Sequence, residues 1–306
     1  MFSIINKLLN QKSAADAALQ IQRIADNANI YRERGQYSDA EPLFRQALAA
    51  AEQAFGPNSL QTSIILNNLA VLYKYMGRFD DAEPLYRRAL QIIESELGSE
   101  HPEVASIYHN LGGLEHARGR YAEGEMFARR SVEIREKALG PNHVEVASDI
   151  AALAAILDGQ GKYNESELLY RRVLIIFERV YGPEHYEIAV NLNNLAALHY
   201  AKGNFAEAET LYRQALAIKE KLLGPHHPDV AMTLNNLAVF YKSQDRYDDA
   251  AKLYRRTLSI FEKALGPTHP KIAVCLLNYA RLLRKMKRLD EAAKMEARAD
   301  SIDLRL

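Results

Sequence analysis

The sequence predicts an all-α protein built as a solenoid of about seven helix-turn-helix repeats. Two observations support this prediction. Glycines recur at a constant spacing of 42 residues, at positions 56, 98, 140, 182, 224 and 266. Between successive glycines the apolar residues follow a helical period twice, with a break at Gly77 in the unit 56–97. A fixed period of this length is typical of stacked supersecondary units rather than of a single globular core.

Each repeat begins with a loop that suits the start of a helix. Gly98 can adopt the left-handed conformation that ends the preceding helix, and Pro102 suits a first helical position. Glu103 then complements the positive end of the new helix dipole. The string GPHHPDV at 224–230 repeats this loop, so we expect a first helix to begin at the corresponding place in each unit.

Both helices of a repeat are predicted to be amphipathic. In the unit 56–97 the apolar residues of the two helices are Ile65, Leu66, Leu69, Leu72 and Tyr73, followed by Ala82, Leu85, Tyr86, Ala89, Leu90 and Ile93. Gly77 separates the two sets and is followed after one residue by Phe79, an aromatic that can fill the junction. The small Ala82 comes three positions later, where facing helices need to approach closely.

These residues carry a resemblance to a known family. The spacings of the tetratricopeptide repeat are matched by Leu69, Ala70, Tyr73, Gly77, Phe79, Ala82, Tyr86, Ala89 and Leu90. The longer unit, with its GPxHP loop and the strings LNNLAVLY and AEPLYRRAL, resembles the repeats of kinesin light chains and their bacterial relatives. The resemblance implies a right-handed superhelical solenoid whose concave wall is built from the first helices.

The predicted organisation is a lead-in over residues 1–13 and one solenoid over residues 14–306. The repeats are expected to begin near residues 14, 56, 98, 140, 182, 224 and 266. The outer two depart most from the pattern, with Asn27 in place of leucine in the first and Lys287 in place of glycine in the last, and they are interpreted as caps. A kinesin light chain is expected to carry a long coiled coil ahead of its repeats, and fewer than about 20 residues precede them here, so the resemblance is to the cargo-binding region.

Composition argues against several classes of function. Lysine plus arginine and aspartate plus glutamate both total 39, so no net charge favours nucleic acid or an anionic membrane. The single cysteine, Cys275, fits a reducing compartment, and the sequence has neither a signal-peptide core nor a long apolar run. We therefore expect a cytoplasmic protein with no nucleic-acid partner and no membrane association.

No pattern of a catalytic, cofactor or metal site stands out. The chain lacks the GxGxxG, GxxxxGK[ST] and GxSxG motifs. The recurrent histidines lie in equivalent loops of different repeats, at His101, His143, His185, His227 and His269, and are not expected to converge on one metal. The sequence therefore predicts a protein that is not an enzyme and that has no cofactor and no metal.

Asparagines recur on the exposed face of the first helices. The second residue of the recurring pair is found at Asn68, Asn110, Asn194, Asn236 and Asn278, and the residue before it is also asparagine at Asn67, Asn193 and Asn235. Asparagine is a poor helix former, but its amide can donate to one peptide carbonyl and accept from one peptide N–H. We expect these amides to hold an extended peptide backbone; the alternative is that they bond to the neighbouring helix or to water and shape the stack.

Apolar and basic residues flank the asparagines. The apolar candidates for contact with ligand side chains are Ile64, Val71, Val190, Met232 and Val239. The basic candidates, near the ends of the same helices, are Lys74, Arg78, Arg120, Lys242 and Arg246. Together they favour a ligand with apolar anchors among acidic residues, although cations at helix ends also complement the helix dipole.

The fourth repeat interrupts the asparagine series. Its corresponding face carries small residues, including Ala151 and Ala152. This gap is either a pocket for a bulky ligand side chain or drift in a repeat that lost binding, and the sequence leaves both open.

The preferred function is a non-enzymatic adaptor that captures an extended, acidic and apolar segment of a protein partner. The alternative is a structural or self-associating scaffold that uses the convex face or the ends of the solenoid. A homo-oligomer is one form of this alternative. A third hypothesis, an enzyme or regulator that acts on a small ligand, finds no supporting constellation of residues.

Overall fold

The structure is a computed structural model that describes the backbone of residues 2–302 and the side chains of residues 15–302. Over this part of the chain the regular structure is entirely α-helical, which confirms the predicted fold class. The chain divides into two compact units, one ending at Pro141 and the other beginning at Asn142. The predicted lead-in over 1–13 lies outside the residues whose side chains are described, as do residues 303–306 at the end of the predicted solenoid.

Within residues 2–302, six helices form the first unit and eight form the second. The helices of the first unit are α1 (Phe2–Glu33), α2 (Tyr37–Phe55), α3 (Leu60–Tyr75), α4 (Phe79–Leu97), α5 (Pro102–Ala117) and α6 (Tyr121–Leu139). Those of the second are α7 (Val144–Gly159), α8 (Tyr163–Tyr181), α9 (Tyr186–Ala201), α10 (Phe205–Leu223), α11 (Pro228–Ser243), α12 (Tyr247–Leu265), α13 (Pro270–Lys285) and α14 (Leu289–Asp300). The odd-numbered helices are the first helices of the repeats, and the even-numbered helices are the second.

Each first helix packs against the second helix of its own repeat and, within a unit, against the second helix of the repeat before it. In the first unit the predicted packing residues are buried: Leu66 and Tyr86 are fully covered, and Leu69 and Tyr73 nearly so. In the second unit the core is formed by the corresponding positions, including Leu234 and Tyr254. Burial of one apolar face per helix therefore holds the repeats together, as the sequence pattern predicts.

The recurrent histidines cap the first helices. At His101, His143, His185, His227 and His269 the ring Nδ1 accepts a hydrogen bond from the backbone N–H two residues later, at distances of 3.1–3.3 Å. Ser59 has this role at the start of α3, where its Oγ accepts from the N–H of Thr62. Each cap satisfies one of the backbone donors that a helix N-terminus leaves unpaired. This capping role explains the period of the histidines.

The turn between the helices of a repeat requires a left-handed residue. Gly77 has φ of 69° there, a conformation that costs glycine little. Asp245 and Lys287 occupy the same position in the last two repeats with φ of 57° and 60°. The predicted departure at Lys287 therefore falls on a position where a side chain is strained.

Candidate functional site

The asparagines occupy one face of the first helices, which we call the asparagine face. In the first unit it includes Asn67 and Asn68 on α3 and Asn110 on α5, all half-buried. The Nδ2 of Asn110 donates to the Oδ1 of Asn67 at 2.8 Å. In the second unit Asn236 on α11 donates to Asn193 on α9 in the same way, at 3.2 Å.

These bridges explain why asparagine appears twice in succession. The second asparagine of one repeat donates to the first asparagine of the repeat before it, so the pair links neighbouring first helices. The alternative in which asparagines bond to the neighbouring helix therefore describes Asn67 with Asn110 and Asn193 with Asn236. Each donating amide keeps one N–H and its carbonyl oxygen for other partners, because an amide group can form about four hydrogen bonds.

The bridge is not repeated between α11 and α13. Asn278 does not donate to Asn235; its Oδ1 instead lies 3.5 Å from Nη1 of Arg281, at the limit of a hydrogen bond. The Oδ1 of Asn235 is consequently buried with no partner in the described part of the chain. The side chains of Asn68 and Asn194 also form no hydrogen bond among residues 15–302, which leaves their amides available.

The predicted apolar contacts lie beside the asparagines and are accessible. Ile64 is 55% exposed and Met232 is 42% exposed. The three valines, Val71, Val190 and Val239, are half-buried. Tyr75 of α3 is also exposed on this face, with its ring stacked on that of Tyr37 at 6.5 Å. Both units thus present side chains on which an apolar group of a ligand could rest.

Arg78 and Arg246 are directed away from the asparagine face. Arg78 donates to Glu41 of α2 at 2.8 Å and to Asp81 of α4 at 2.7 Å, and its guanidinium lies 4.2 Å from the centre of the Tyr73 ring. These contacts join the second helix of one repeat to both helices of the next. Arg78 is therefore held between consecutive repeats by carboxylates of the chain itself.

The other two arginine candidates have similar partners. Arg246 donates to Glu209 at 3.0 Å and to Asp249 at 2.9 Å, and it lies 3.9 Å from the centre of the Tyr241 ring. Arg120 lies 3.9 Å from Glu115 and from Glu123. The charges of these arginines are balanced by carboxylates of the chain itself.

The two lysine candidates differ from the arginines in their position and in their partners. Lys74 lies on the same face of α3 as Asn67 and Val71, and Lys242 lies on the same face of α11 as Asn235 and Val239, since spacings of four and three residues align side chains on a helix. Both lysines are half-buried, and neither forms an ion pair with a carboxylate of residues 15–302.

Neighbouring cations reinforce the effect of burial on these lysines. Burial and the charge of Arg32 lower the pKa of Lys74, whose Nζ lies directly beside Gly113 of α5. Burial and the charges of Arg281 and Lys285 lower the pKa of Lys242. An anion placed beside either ammonium group would raise its pKa and so offset the effects of burial and of the neighbouring cations.

Sequence reasoning did not identify two buried hydroxyl groups near these lysines. Tyr86 and Tyr254 are fully buried, and their hydroxyls have no hydrogen-bond partner within the described residues. Burial raises the pKa of both phenols. Smaller electrostatic effects on the pKa come from Tyr75 and Arg32 for Tyr86, and from Cys275 and Arg281 for Tyr254. The pattern of apolar residues predicts burial of these rings but carries no information about their hydroxyls.

The described residues contain no cluster of metal ligands and no membrane-spanning helix. Among them, no group of three or more His, Cys, Asp or Glu side chains is close enough to hold a metal ion. No helix of the same part of the chain combines the length and the apolar character needed to cross a bilayer. Glu115, which stands where other repeats have tyrosine, histidine or leucine, accepts from Arg118 at 2.8 Å.

Comparison with known proteins adds family-level information. The family model described as tetratricopeptide repeat matches at residues 18–95, 62–123, 103–174, 150–221, 187–263 and 229–299. No curated protein matches the chain in sequence.

Solved structures share the fold at low sequence identity. BtubC (BKLC) from P. vanneervenii is 24% identical, with a TM-score of 0.56, over 80% of this chain and 92% of that chain. A kinesin light chain-type protein with nearly identical TPR-like repeats, from Podosopora anserina, is 24% identical, with a TM-score of 0.55, over 67% of this chain and 98% of its own. The apo form of RapI is 14% identical, with a TM-score of 0.66, over 94% of this chain and 98% of its own.

Proposed function

Because the chain belongs to the tetratricopeptide repeat family, we propose that it is a non-enzymatic adaptor that holds an extended segment of a protein partner on its asparagine face. The repeats support a role in protein–protein interaction. In the proposal, the backbone of the partner is contacted by the amides of Asn68 and Asn110 in the first unit and by those of Asn194 and Asn236 in the second, each unit being considered by itself. The exposed apolar side chains of each unit contact side chains of the partner.

One observation carries the proposal. Lys74 and Lys242 are half-buried on the asparagine face without a carboxylate partner among the described residues, whereas Arg78, Arg120 and Arg246 have carboxylates beside them. Removal of an ammonium group from water is unfavourable unless an anion accompanies it. In each unit the arrangement therefore favours a partner segment that brings an acidic side chain to the lysine of that unit.

The cellular setting follows as part of the same proposal. Cys275 is a buried free thiol, and burial raises its pKa to about 12, so it suits a reducing compartment such as the cytoplasm. The zero formal net charge disfavours nucleic acid as a partner.

Binding can be tested by fluorescence because the chain contains no tryptophan. Extended peptides of acidic, neutral and basic composition, each with one tryptophan, would be titrated with the protein. We expect saturable binding of the acidic peptide and about fivefold to tenfold weaker binding by Asn194→Ala, which removes an amide that has no partner in the described chain. We expect a similar loss for Lys242→Gln.

A matched control distinguishes a local effect from a general loss of positive charge. Lys252 lies on α12 of the same repeat, is exposed, and comes no closer than 4.0 Å to Asp249. Lys252→Gln should bind the acidic peptide as the parent protein does. The adaptor proposal is wrong if no peptide binds, or if both lysine variants weaken binding equally while Asn194→Ala has no effect.

A self-associating scaffold is the second candidate, and exposed apolar residues on the second helices favour it. Met126 of α6 is 72% exposed, and Leu168 and Ile175 of α8 are 69% and 67% exposed. In the second unit a cavity of about 450 Å³ also lies between α8, α9 and α10, lined by Leu174, Leu192 and Ile218 among others. A mass that increases with concentration and is abolished by Leu168→Glu with Ile175→Glu would support a homo-oligomer; a constant monomer mass would exclude it.

A further inference from the structure

The last turns of the first helices in the second unit carry side chains of different charge. Asp158 of α7, Tyr200 of α9, Lys242 of α11 and Arg284 of α13 occupy the same position in successive repeats, at intervals of 42 residues. An anion and a neutral group are therefore followed by two cations, of which Arg284 pairs with Glu296 and Lys242 remains on the asparagine face of residues 142–302. No other repeat of the chain has an acid at this position.

Asp158 is a half-buried carboxylate without a partner. Its side chain forms neither a hydrogen bond nor an ion pair with any side chain between residues 15 and 302. Burial alone raises its pKa, and the groups on which its charge acts are the phenols of Tyr170 and Tyr212. A cation beside it would offset the cost of burying the charge, and the described chain does not provide one.

The cations at the other end of this unit also lack a carboxylate partner among residues 15–302. Lys242 lies close enough to Arg281 and Lys285 of α13 for their charges to lower its pKa. None of the three forms an ion pair with a described carboxylate. Arg284 and Arg288, which are near them in sequence, pair with Glu296 at 2.6 Å and Glu291 at 2.7 Å. The described residues thus supply acids to the neighbouring arginines but none to the three cations on the asparagine face.

The surface near Asp158 suits a long basic side chain. Ala151 and Ala155 precede Asp158 by seven and three residues and share its face of α7. Lysine and arginine commonly lay their aliphatic stems on apolar surface while the charged group reaches a polar partner. The alanines that interrupt the asparagine series leave room for such a stem, and the carboxylate lies at the end of it.

We propose that the asparagine face of the second unit is charge-ordered: it takes an extended ligand that places a basic side chain at Asp158 and acidic side chains at Lys242, Arg281 and Lys285. This inference rests on the proposed adaptor function and specifies the partner, whose basic and acidic residues must be separated along the segment. Charge complementarity of this kind contributes mainly to the choice of partner.

Three peptides of equal length test the charge order, each with one tryptophan. The first has its basic residues at one end and its acidic residues at the other, the second has the same composition with the charges alternating, and the third is acidic throughout. We expect the first to bind about tenfold more tightly than the second, the equivalent of about 1.4 kcal/mol. Asp158→Asn should remove most of that advantage and leave the affinity for the acidic peptide unchanged or higher.

Three variants show whether the effect on peptide affinity is specific to charges on the asparagine face. Asp158→Asn keeps the size of the side chain and removes a half-buried charge, so the thermal midpoint should not fall. Asp248→Asn, on the exposed start of α12, removes an equal charge away from the asparagine face and should bind all three peptides as the parent does. Lys285→Gln should weaken the first and third peptides by about twofold to fivefold.

The outcomes separate this inference from the adaptor function. Equal affinity of the first and second peptides, or an equal effect of Asp158→Asn on all three, overturns the charge order. If the acidic peptide still binds in a way that depends on Asn194, the adaptor function stands without it. If no peptide binds, both fail.

Discussion

The two units share one frame, by which we mean the set of contacts that joins consecutive repeats. They differ in how their helices begin and in which charged groups surround their lysines. In the first unit Glu41 accepts from Arg78, Arg45 and Tyr73, and in the second Glu209 accepts from Arg246, Arg213 and Tyr241 in the same arrangement. This network joins consecutive repeats and is the same in both. Positions that join repeats are therefore constrained by the frame.

Positions outside the frame are free to differ between the units. In the first unit α3 begins at a serine cap and α5 at a histidine, whereas all four first helices of the second unit begin at histidines. Lys74 has Arg32 and His116 near it, and Lys242 has Arg281 and Lys285. The difference suggests that the frame determines stability in neutral solution, while caps and lysine surroundings set the response to acid and the choice of ligand.

Acid should produce the largest effect, and it should act on the second unit. Burial and the charge of Lys271 lower the pKa of His269 from 6.5 to about 4, and its Nδ1 must stay unprotonated to cap α13. The unfolded chain takes up a proton at a higher pH than the folded chain does. This histidine therefore contributes its full stability above about pH 6.5 and loses up to about 3 kcal/mol as the pH falls to about 4.

A non-titrating cap tests the assignment. Asparagine caps helices well and carries no proton in this range, so His269→Asn should flatten the pH dependence between 6.5 and 4 while leaving stability at pH 7 within about 1 kcal/mol. Urea unfolding at several pH values measures both. An unchanged pH profile in the variant would show that the acid response comes from other groups.

The frame network should give the next largest effect, of equal size in the two units. Glu209→Ala removes a carboxylate that accepts from Arg246 and Tyr241, and we expect a loss of about 2 kcal/mol in the free energy of unfolding. Glu41→Ala should cost the same within about 0.5 kcal/mol, since its contacts are equivalent.

Glu207→Ala is the control for these variants, because Glu207 is exposed on the same helix as Glu209 and belongs to no described network. It should change stability by less than about 0.5 kcal/mol. A large difference between the Glu41 and Glu209 variants would contradict the idea that the frame is energetically uniform.

The sequence predicts the frame far better than it predicts the site. Its 42-residue period and apolar pattern locate the helices and the buried Leu66, Leu69 and Tyr73, because burial repeats with the period. The bridge from Asn110 to Asn67 depends on how two helices lie side by side, which no local pattern encodes. The sequence shows only that histidine recurs just before the start of the first helices; it does not show that the ring caps the helix.

Charged side chains are the hardest part to predict. Arg78 and Lys74 are four residues apart and both basic, yet one meets Glu41 and the other remains on the asparagine face without a carboxylate. The left-handed turn at Gly77 comes between them and changes the direction of the chain. Asp158 stands out in the sequence only as the acid at a position where the other repeats have none, and its burial without a partner among the described side chains is a result of three-dimensional packing.

The smallest predicted effect concerns a close helix crossing in the first unit. Gly112 of α5 faces Gly124 of α6, whereas the equivalent positions are Ala70 and Ala82 in the same unit and Ala238 and Ala250 in the second. A Cβ on residue 124 would lie 3.1 Å from the carbonyl oxygen of Gly112, which is closer than such atoms normally approach. Overpacking of this kind costs about 1–3 kcal/mol, while alanine gains up to about 1 kcal/mol over glycine within a helix.

The net expectation for Gly124→Ala is therefore a loss of about 1 kcal/mol, although alanine is found at the same position in α4 and in α12. Ala250→Gly should also destabilise, since it removes a fully buried methyl group and loosens the helix. Urea unfolding of both variants decides the point. A gain in stability for Gly124→Ala would show that α5 and α6 can adopt the wider spacing at little cost, and that the glycine pair is a variation of sequence rather than a constraint of packing.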